Sequence, residues 1–508
     1  MIVGPCARDK GKPVKRRGRK ANEAKALSVR HAGRVAVDWR LDLRKSLLAL
    51  VAMIAAAACT DATAPEAAPP ANAYLKSHAK STISASLAAP ASLWSGYSTQ
   101  SHHWSHITTF MTDFYYSWTS SERTWAGQHY DVAMSGSGSA WRAVNPTVNH
   151  LTYALLWSML VNSTTSLGTG YYSDMRSWFA SHTQYSLEKA FVHRRGASFN
   201  QSGRVYYYRL GTYRWAINPK DPGAIAYTVS RAKRIAANDG GIFFDEASSG
   251  DMTSTLGDMQ EFASRTDYVA AIANVLAQAK AAVGSKMIML NTAGYTTSLD
   301  SINARRAGAV HLEQFNNFKW SGMYDHWRWV TNLASLGVFV DVVSAYSTRD
   351  MAGMASYYPP GNSPSNTQRA KLWELASYYL SLPASGAKNV AVQLENYWSV
   401  PYSTIWTKAQ EANIGLPVTP MWESSRGTDP LGQRYVIYAR DFQRARIILR
   451  MQQGWGSQNY MDASAITINL PYGERWIPLN ANGTVQNAIT TLHLRNSEAV
   501  ILLRGSRM

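Results

Sequence analysis

Short apolar runs alternate with helix-like segments from about residue 105 onward. In each unit an apolar run ends in a polar residue, a loop follows, and apolar residues then recur at helical spacing. The apolar runs predict eight strands, at 107–115, 130–135, 150–157, 241–245, 287–291, 309–313, 338–344 and 389–395. Strands that alternate with helices indicate a parallel sheet connected by helical crossovers.

The helices between these runs carry their own start and stop signals. Asp221 and Pro222 supply an N-cap and a first-turn proline, and a second helix begins near Thr266 and ends before Gly284. Eight strand–helix units predict a closed (β/α)8 TIM barrel over residues 105–425. A doubly wound open sheet is the alternative, but no Gly-x-Gly-x-x-Gly turn follows any strand, so a dinucleotide site has no support.

The last eighty or so residues change from alternation to consecutive short strands. Six are predicted, at 435–440, 447–450, 466–470, 476–479, 491–494 and 499–503. Asn482-Gly483 between two of them is a hairpin signal. The segment 426–508 is therefore expected to form a small C-terminal antiparallel β domain of sandwich type.

The amino-terminal segment has the pattern of an export signal. Residues 47–58 are an unbroken apolar run, too short to span a bilayer, which follows Arg44 and Lys45. Ala56-Ala57-Ala58-Cys59 resembles a bacterial lipobox, in which the cysteine is acylated. We therefore expect residues 1–58 to be a basic extension with a lipoprotein-type signal, and 59–104 to be an Ala/Pro/Ser-rich tether. Plain signal cleavage near the same alanines is the alternative.

This interpretation predicts an exported protein, either anchored to the membrane through a lipid at Cys59, in the periplasm or at the cell surface, or secreted. The charge distribution does not support a nucleic-acid partner. The first 45 residues carry 14 Lys/Arg against 4 Asp/Glu, which is more than half of the net charge of +18, so the predicted folded region is only mildly basic. Cys6 and Cys59 are the only cysteines, which excludes a disulfide scaffold and a Cys-rich metal site. No metal or organic cofactor is expected.

Carboxylates close several of the predicted strands, where a barrel places its active site. Gly241–Phe244 runs directly into Asp245 and Glu246, and the strands at 309–313 and 389–395 end in Glu313 and Glu395. Side chains alternate along a strand, so Asp245 and Glu246 cannot both point to the barrel axis. We expect Asp245 to point inward and Glu246 to lie at the rim, with Asn291 as a neutral partner from the strand between. A single such carboxylate is as often a helix cap or a salt-bridge partner.

Two carboxylates facing each other across a barrel mouth suit the cleavage of glycosidic bonds. One donates a proton to the leaving oxygen, and the other attacks the anomeric carbon or activates water. Aromatic residues in the presumed loops would stack on sugar rings, and Trp157, Tyr213, Tyr346 and Trp398 are the candidates for such contacts. For each aromatic alone, packing in the core is the competing interpretation.

The segment Gly240–Ala247, GGIFFDEA, resembles the Asp-Gly-initiated strand of the bacterial hypothetical glycosyl hydrolase family fifteen, although glycine replaces the aspartate here. The endings 438–442 and 499–504 resemble the β domain that closes many such enzymes. The resemblance implies a (β/α)8 barrel that hydrolyses glycosides. Asp245 and Glu313 close the fourth and sixth predicted strands, a placement similar to the nucleophile and the acid/base of α-galactosidase-type barrels, which implies a retaining enzyme for α-linked sugars.

The sequence therefore predicts a secreted or lipid-anchored glycoside hydrolase of the bacterial cell envelope, acting on an oligo- or polysaccharide. Asp245 is the predicted nucleophile or base and Glu313 the predicted acid/base. Glu246, Asn291 and Glu395 are predicted to shape the substrate site. The alternative is a non-catalytic carbohydrate-binding surface lipoprotein with the same barrel.

Overall fold

The structure is a computed structural model, and it describes ten ranges of the chain. These are 107–111, 119–134, 138–161, 172–209, 212–315, 320–344, 364–394, 406–452, 464–495 and 498–505. The predicted signal, Cys59 and the predicted tether lie outside these residues. Within these ranges, no helix combines the length and the apolar character needed to cross a bilayer.

Eighteen strands lie in the described ranges. They are β1 Ile107–Met111, β2 Val132–Met134, β3 Asn149–Leu155, β4 Ser158–Leu160, β5 Tyr206–Arg209, β6 Thr212–Ala216, β7 Gly241–Asp245, β8 Met287–Asn291, β9 Gly308–Phe315, β10 Phe339–Ser344, β11 Val390–Gln393, β12 Trp422–Thr428, β13 Arg434–Asp441, β14 Ala445–Gln452, β15 Ile466–Asn469, β16 Trp476–Leu479, β17 Thr491–Leu494 and β18 Ala499–Arg504.

Nine α-helices lie in the same ranges. They are α1 Ser120–His129, α2 Gly138–Val144, α3 Tyr172–Ser181, α4 Pro222–Asn238, α5 Ser249–Thr255, α6 Arg265–Val283, α7 Ser298–Ala307, α8 Trp320–Ser335 and α9 Pro364–Ser381.

Eight parallel strands close into a barrel, in the order β1-β2-β3-β7-β8-β9-β10-β11, with β11 paired back to β1. These are the eight strands that the apolar runs predict, so the (β/α)8 prediction is confirmed. β7 and β8 match the predicted ends residue for residue, because each apolar run stops at a polar residue on one side and a helix terminator on the other. The strand count is confirmed too: Asp245 closes the fourth barrel strand and Glu313 lies in the sixth.

The helices begin and end where their capping residues stand. Asp221 accepts a hydrogen bond from the Ala224 amide at 2.8 Å and starts α4, with Pro222 in its first turn. Ser264 caps α6, and Gly284, at a φ of 63°, ends it. These caps fix where the two crossover helices begin and where α6 ends.

A three-stranded antiparallel sheet, in the order β4-β6-β5, is inserted after β3 at the carboxyl end of the barrel. The apolar pattern of the sequence does not predict this sheet. β4 has only three residues, and β5 and β6 are short and contain tyrosine and arginine, so none shows the apolar run or the strict alternation that marks the other strands. The insertion matters for function, because it lies beside the strand that carries Asp245.

The C-terminal segment forms the predicted antiparallel β domain, with one sheet in the order β12-β13-β14-β18-β16 and a second formed by β15 and β17. All six predicted strands are present, and β12 is additional. β12, with the sequence WESSRGT, is a polar edge strand, which explains why no apolar pattern marks it. Asn482-Gly483 forms a tight turn, with Asn480 and Thr484 bonded across it at 2.8 Å.

Candidate active site

Asp245 ends β7 with its side chain in the mouth of the barrel, among the inward-facing positions of the neighbouring strands. Its Oδ2 accepts a hydrogen bond from the Tyr153 hydroxyl at 2.8 Å, and its Oδ1 accepts one from the Glu246 amide at 2.8 Å. Burial first, and the Asp245 carboxylate second, raise the pKa of Tyr153 far above its ordinary value. The phenol therefore stays protonated and remains a donor to Asp245.

Asn291, at the end of β8, connects the two acids predicted from the sequence. Its Nδ2 donates to Asp245 Oδ1 at 2.8 Å and to Glu313 Oε2 at 2.6 Å. Its Oδ1 accepts the Ala293 amide at 2.8 Å, which fixes the amide with its NH₂ group towards the carboxylates. Asn291 is buried, whereas Asp245 and Glu313 are each partly exposed.

The shared amide limits the separation of the two acids. Since both oxygens bond to one nitrogen, the bonds of 2.8 and 2.6 Å hold them no more than about 5.4 Å apart. The acids come from strands that are not adjacent, β7 and β9, with β8 between them. The structure thus brings Asp245, Asn291 and Glu313 together over one opening, as the alternation of inward positions predicts.

Two residues beyond these strands adopt left-handed backbone angles that non-glycine residues seldom use. Glu246 has a φ of 54° and Ala293 a φ of 52°. Both follow the strands of the candidate site, β7 and β8. Such conformations cost roughly 1–3 kcal/mol each and persist where the surroundings hold them, often at functional sites. Here they turn the chain sharply, directly after the residues that meet in the barrel mouth.

Glu246 does not lie at the rim as the sequence analysis expects. It is 4% exposed and forms an ion pair with Arg214 of β6, and the Tyr207 hydroxyl of β5 donates to its Oε2 at 3.3 Å. The inserted sheet thus covers and neutralises this carboxylate. The expectation of a substrate contact at Glu246 is therefore corrected, because its side chain is buried against the insertion.

Trp157 also occupies the core rather than a substrate surface. Its side chain is 1% exposed, stacks on Tyr207 at a ring separation of 5.0 Å, and donates from Nε1 to the Glu246 carbonyl at 2.6 Å. The competing interpretation, core packing, holds for this residue. Through its hydrogen bond to the Glu246 carbonyl, Trp157 stabilises the left-handed turn that follows Asp245.

Tyr213 is the predicted aromatic that remains open to solvent, at 54% exposure on β6. It lies against Tyr208 of β5, with ring centroids 4.9 Å apart, on the opposite face of the hairpin from Arg214. The structure leaves it free to contact a ligand but does not place it against Asp245 or Glu313. Glu395, Tyr346 and Trp398 lie outside the described residues.

A second polar pair joins β9 to the neighbouring strand β10. His311 Nδ1 and Asp341 Oδ2 are 2.5 Å apart, and both side chains are completely buried. Phe243 packs its ring edge-on against His311 at 5.2 Å. Because His311 precedes Glu313 by two positions on β9, this pair lies on the inward face below the acids and supports β9.

Sequence reasoning missed Tyr153 and Arg214. Tyr153 could have been found from the strand pattern. Leu151, Tyr153 and Leu155 occupy alternate positions of β3 and so share one face, and Leu155 is in register with Asp245. Arg214 had none, because its approach to Glu246 depends on how the insertion folds over the barrel. In the ranges that the structure describes, no cluster of three or more His, Cys, Asp or Glu side chains could hold a metal ion.

Comparison with known proteins finds similar solved structures. No protein family model and no curated protein matches the chain. An alpha-amylase from Geobacillus thermoleovorans, solved with acarbose, shares 7% identity at a TM-score of 0.44, over 79% of this chain and 98% of that one. A GH27 β-L-arabinopyranosidase from Geobacillus stearothermophilus shares 9% identity at a TM-score of 0.43, over 79% and 96%.

A third similar structure is the glycoside hydrolase domain of PelA from Pseudomonas aeruginosa, with 12% identity and a TM-score of 0.33 over 58% of this chain and 98% of that domain. These structural neighbours are glycoside hydrolases. At such identities and TM-scores they carry no argument about the activity of this chain. The resemblance of Gly240–Ala247 to family fifteen stays a prediction, since no family model matches.

Proposed function

We propose that this chain is a retaining glycoside hydrolase, with Asp245 as nucleophile and Glu313 as acid/base. The observation that carries the proposal is the Asn291 amide bonded to both carboxylates. Retaining enzymes hold their two carboxyl groups about 5–5.5 Å apart, whereas inverting enzymes keep about 6.5–9.5 Å to admit a water. Asn291 holds one oxygen of each carboxylate no more than about 5.4 Å from the other, which favours the shorter separation.

In the proposed reaction Glu313 gives its proton to the glycosidic oxygen while a carboxylate oxygen of Asp245 attacks the anomeric carbon. The bond between that carbon and the leaving oxygen breaks, and an ester between the sugar and Asp245 forms. Glu313, now ionised, takes a proton from water, whose oxygen attacks the same carbon and releases Asp245 as a carboxylate. The proton on Glu313 is thereby restored.

The contacts of Asp245 support its assignment as the nucleophile. Three donors reach its oxygens, from Tyr153, Asn291 and the Glu246 amide. Hydrogen bonds to a carboxylate orient it and suit an ionised group. Asn291 and Tyr153 are therefore proposed as positioning residues, which hold the attacking oxygen in place while the sugar approaches from the open side of the barrel.

The linkage is proposed from strand positions. Asp245 closes the fourth barrel strand, and Glu313 lies near the end of the sixth. This is similar to the placement in α-galactosidase-type barrels, and it favours α-linked sugars as substrates. Glu395, Tyr346, Trp398 and the exposed Tyr213 remain proposed substrate contacts.

Export and lipidation are proposed from the sequence of residues 44–59. Metabolic labelling with palmitate in a bacterial host that processes lipoproteins tests this directly. We expect label on the wild-type chain and none on Cys59→Ser. Label that persists in the variant would contradict the proposal.

The activity is tested by screening the chain from residue 60 onward against α- and β-linked chromogenic glycosides, with Asp245→Asn and Glu313→Gln in parallel. Hydrolysis of at least one α-glycoside by the wild type, lost in both variants, is expected. A chain that binds glycans but hydrolyses none would favour the non-catalytic carbohydrate-binding alternative. Unchanged turnover in both variants would remove the proposed mechanism.

A further inference from the structure

The inserted sheet has two unlike faces. Tyr207 of β5 and Arg214 of β6 form a cross-strand pair, and both contact Glu246, so one face covers that buried carboxylate. Alternation sends the residues on either side of this pair to the other face. That face carries three tyrosines, here called the tyrosine face, each more than half exposed: Tyr206 at 53%, Tyr208 at 62% and Tyr213 at 54%. Neighbouring aromatic side chains left open to water indicate a surface that binds another molecule.

The rings of the tyrosine face leave surface available to a ligand. The Tyr213 ring centroid lies 6.1 Å from that of Tyr206 and 4.9 Å from that of Tyr208, with interplanar angles of 59° and 55°. Rings tilted in this way do not stack face to face, so they do not cover one another. Sugar rings have apolar C–H faces that pack on aromatic faces, and the phenol hydroxyls can bond to sugar hydroxyls. Tyrosine has few side-chain torsions, so a ligand that orders these rings loses little entropy.

A positive charge lies at the edge of the tyrosine face. Arg194 is exposed, and its guanidinium carbon lies 5.7 Å from the Tyr206 ring centroid. Its Nη2 donates to the Ser202 carbonyl at 2.8 Å, which holds the side chain in place. A carbonyl satisfies a donor without cancelling the charge, so the guanidinium can still pair with an anion. Aromatic faces beside a guanidinium therefore suit a ligand that combines apolar ring faces with carboxylates.

We propose that the tyrosine face and Arg194 form a surface site for an acidic glycan, a polysaccharide whose sugar units carry carboxylates. The rings match pyranose faces, and the planar guanidinium matches a carboxylate in a bidentate pair. The choice of a glycan rests on the proposed function, and the charge of the ligand rests on Arg194. Tyrosine and arginine are also common in protein interfaces, so an acidic peptide is the competing ligand.

The position of the tyrosine face suits a glycan that also reaches the barrel mouth. The opposite face of the same hairpin contacts Glu246, the residue that follows Asp245. The tyrosine face is therefore one sheet thickness away from the strand end that carries the candidate nucleophile. A polysaccharide held there stays beside the mouth, which raises the effective concentration of its other sugar units at the acids.

Isothermal titration calorimetry of the full chain with hexagalacturonate tests the proposal. All titrations use the Asp245→Asn background, so that binding is measured whether or not the chain hydrolyses glycosides. We expect binding that weakens at least about threefold in Tyr206→Ala and in Tyr208→Ala, and about three- to tenfold in Arg194→Gln. Tyr472→Ala is the matched control and should bind like the parent chain, since Tyr472 is a fully exposed tyrosine of the C-terminal domain.

Tyr208→Phe keeps an aromatic face and should retain most of the affinity, which separates stacking from folding. Maltohexaose, a neutral hexasaccharide, should bind more weakly than hexagalacturonate, and Arg194→Gln should leave its affinity unchanged. The proposal is overturned by no binding of hexagalacturonate, by equal affinity in the parent, Tyr206→Ala and Tyr208→Ala chains, or by hexaglutamate or maltohexaose binding as tightly as hexagalacturonate. A chain that shows the expected binding but hydrolyses no glycoside would contradict the proposed function alone.

Discussion

Two neighbouring carboxylates on one strand end, Asp245 and Glu246, have opposite surroundings. Asp245 faces the barrel mouth, stays partly exposed and receives neutral donors from Tyr153 and Asn291. Glu246 turns to the flank and is buried in an ion pair with Arg214. Asp245 is thus accessible and held by neutral donors, whereas Glu246 is buried and paired with a guanidinium.

The difference arises from backbone direction. Alternation sends consecutive side chains to opposite faces of a strand, and the left-handed turn at Glu246 increases their divergence. The inserted sheet then supplies the cation that a buried carboxylate requires. Mouth and flank therefore differ in environment, which suits the catalytic role proposed for Asp245 and a structural role for Glu246.

The largest expected effect is on catalysis at the mouth. Asp245→Asn should lower kcat/KM by about 10⁴-fold, equivalent to about 5 kcal/mol of transition-state stabilisation. Glu313→Gln should lower it by about 10²–10⁴-fold on substrates with poor leaving groups. Both are measured by steady-state hydrolysis on the glycoside found in the screen, and their Tm values should stay within a few degrees of the wild type.

At the flank the expected effect is on stability. Glu246→Ala leaves Arg214 buried without its anion, which should lower the free energy of unfolding by about 3–5 kcal/mol in a denaturant titration. Arg234→Ala is the matched control, because its ion pair with Asp174 is exposed and should contribute less than about 1 kcal/mol. A stable Glu246→Ala that has lost activity would reverse the roles assigned to the two acids.

The two regions can also be compared through the loss of folding stability at alkaline pH. Tyr153 at the mouth and Tyr207 at the flank both have a pKa raised chiefly by burial. Above pH 10 the unfolded chain loses these protons while the folded chain keeps them, so stability is full below pH 10 and falls as pH rises. Tyr153→Phe and Tyr207→Phe should each reduce that fall by about 1.4 kcal/mol per pH unit.

Denaturant titrations between pH 10 and 11 measure these slopes. Tyr208→Phe is the control, since Tyr208 is 62% exposed. A slope unchanged by both buried-site variants would mean that neither phenol is held protonated. Tyr153→Phe should also lower kcat, because Asp245 loses a donor, whereas Tyr207→Phe should leave kcat near the wild-type value.

The smallest effect is expected for Tyr213→Ala. Its side chain is exposed, so the free energy of unfolding should change by less than about 0.5 kcal/mol. If Tyr213 contacts substrate, KM on an oligosaccharide should rise several-fold with kcat unchanged. Identical KM values in variant and wild type would leave Tyr213 without a role at the mouth.

The sequence predicts the best-defined barrel strands well because they are continuous apolar runs, buried on both faces, that stop at a polar residue. Gly241–Asp245 and Met287–Asn291 show this most clearly. Alternation then suffices to place Asp245 and Asn291 inward. Caps such as Asp221 and Ser264 are local signals, so the helices follow from the same reasoning.

What escapes prediction depends on contacts distant in sequence. The sequence around Glu246 does not predict its contact with Arg214. Arg214 is 32 positions away in the chain and lies on an inserted hairpin. From the sequence Trp157 is expected in a loop, but in the structure Tyr207 of the same hairpin stacks on it and buries it. β12 is missed because an edge strand can be polar on both faces.

The most direct test of the account identifies the carboxylate that bonds to sugar. The chain is incubated with 2-deoxy-2-fluoroglycosyl fluorides of the sugar it cleaves, digested, and fragmented by mass spectrometry to separate Asp245 from Glu246. We predict one fluoroglycosyl group per chain, on Asp245, and none in Asp245→Asn. Label on Glu246 or Glu313, or no labelled carboxylate in a chain that turns over the parent glycoside, would contradict the account.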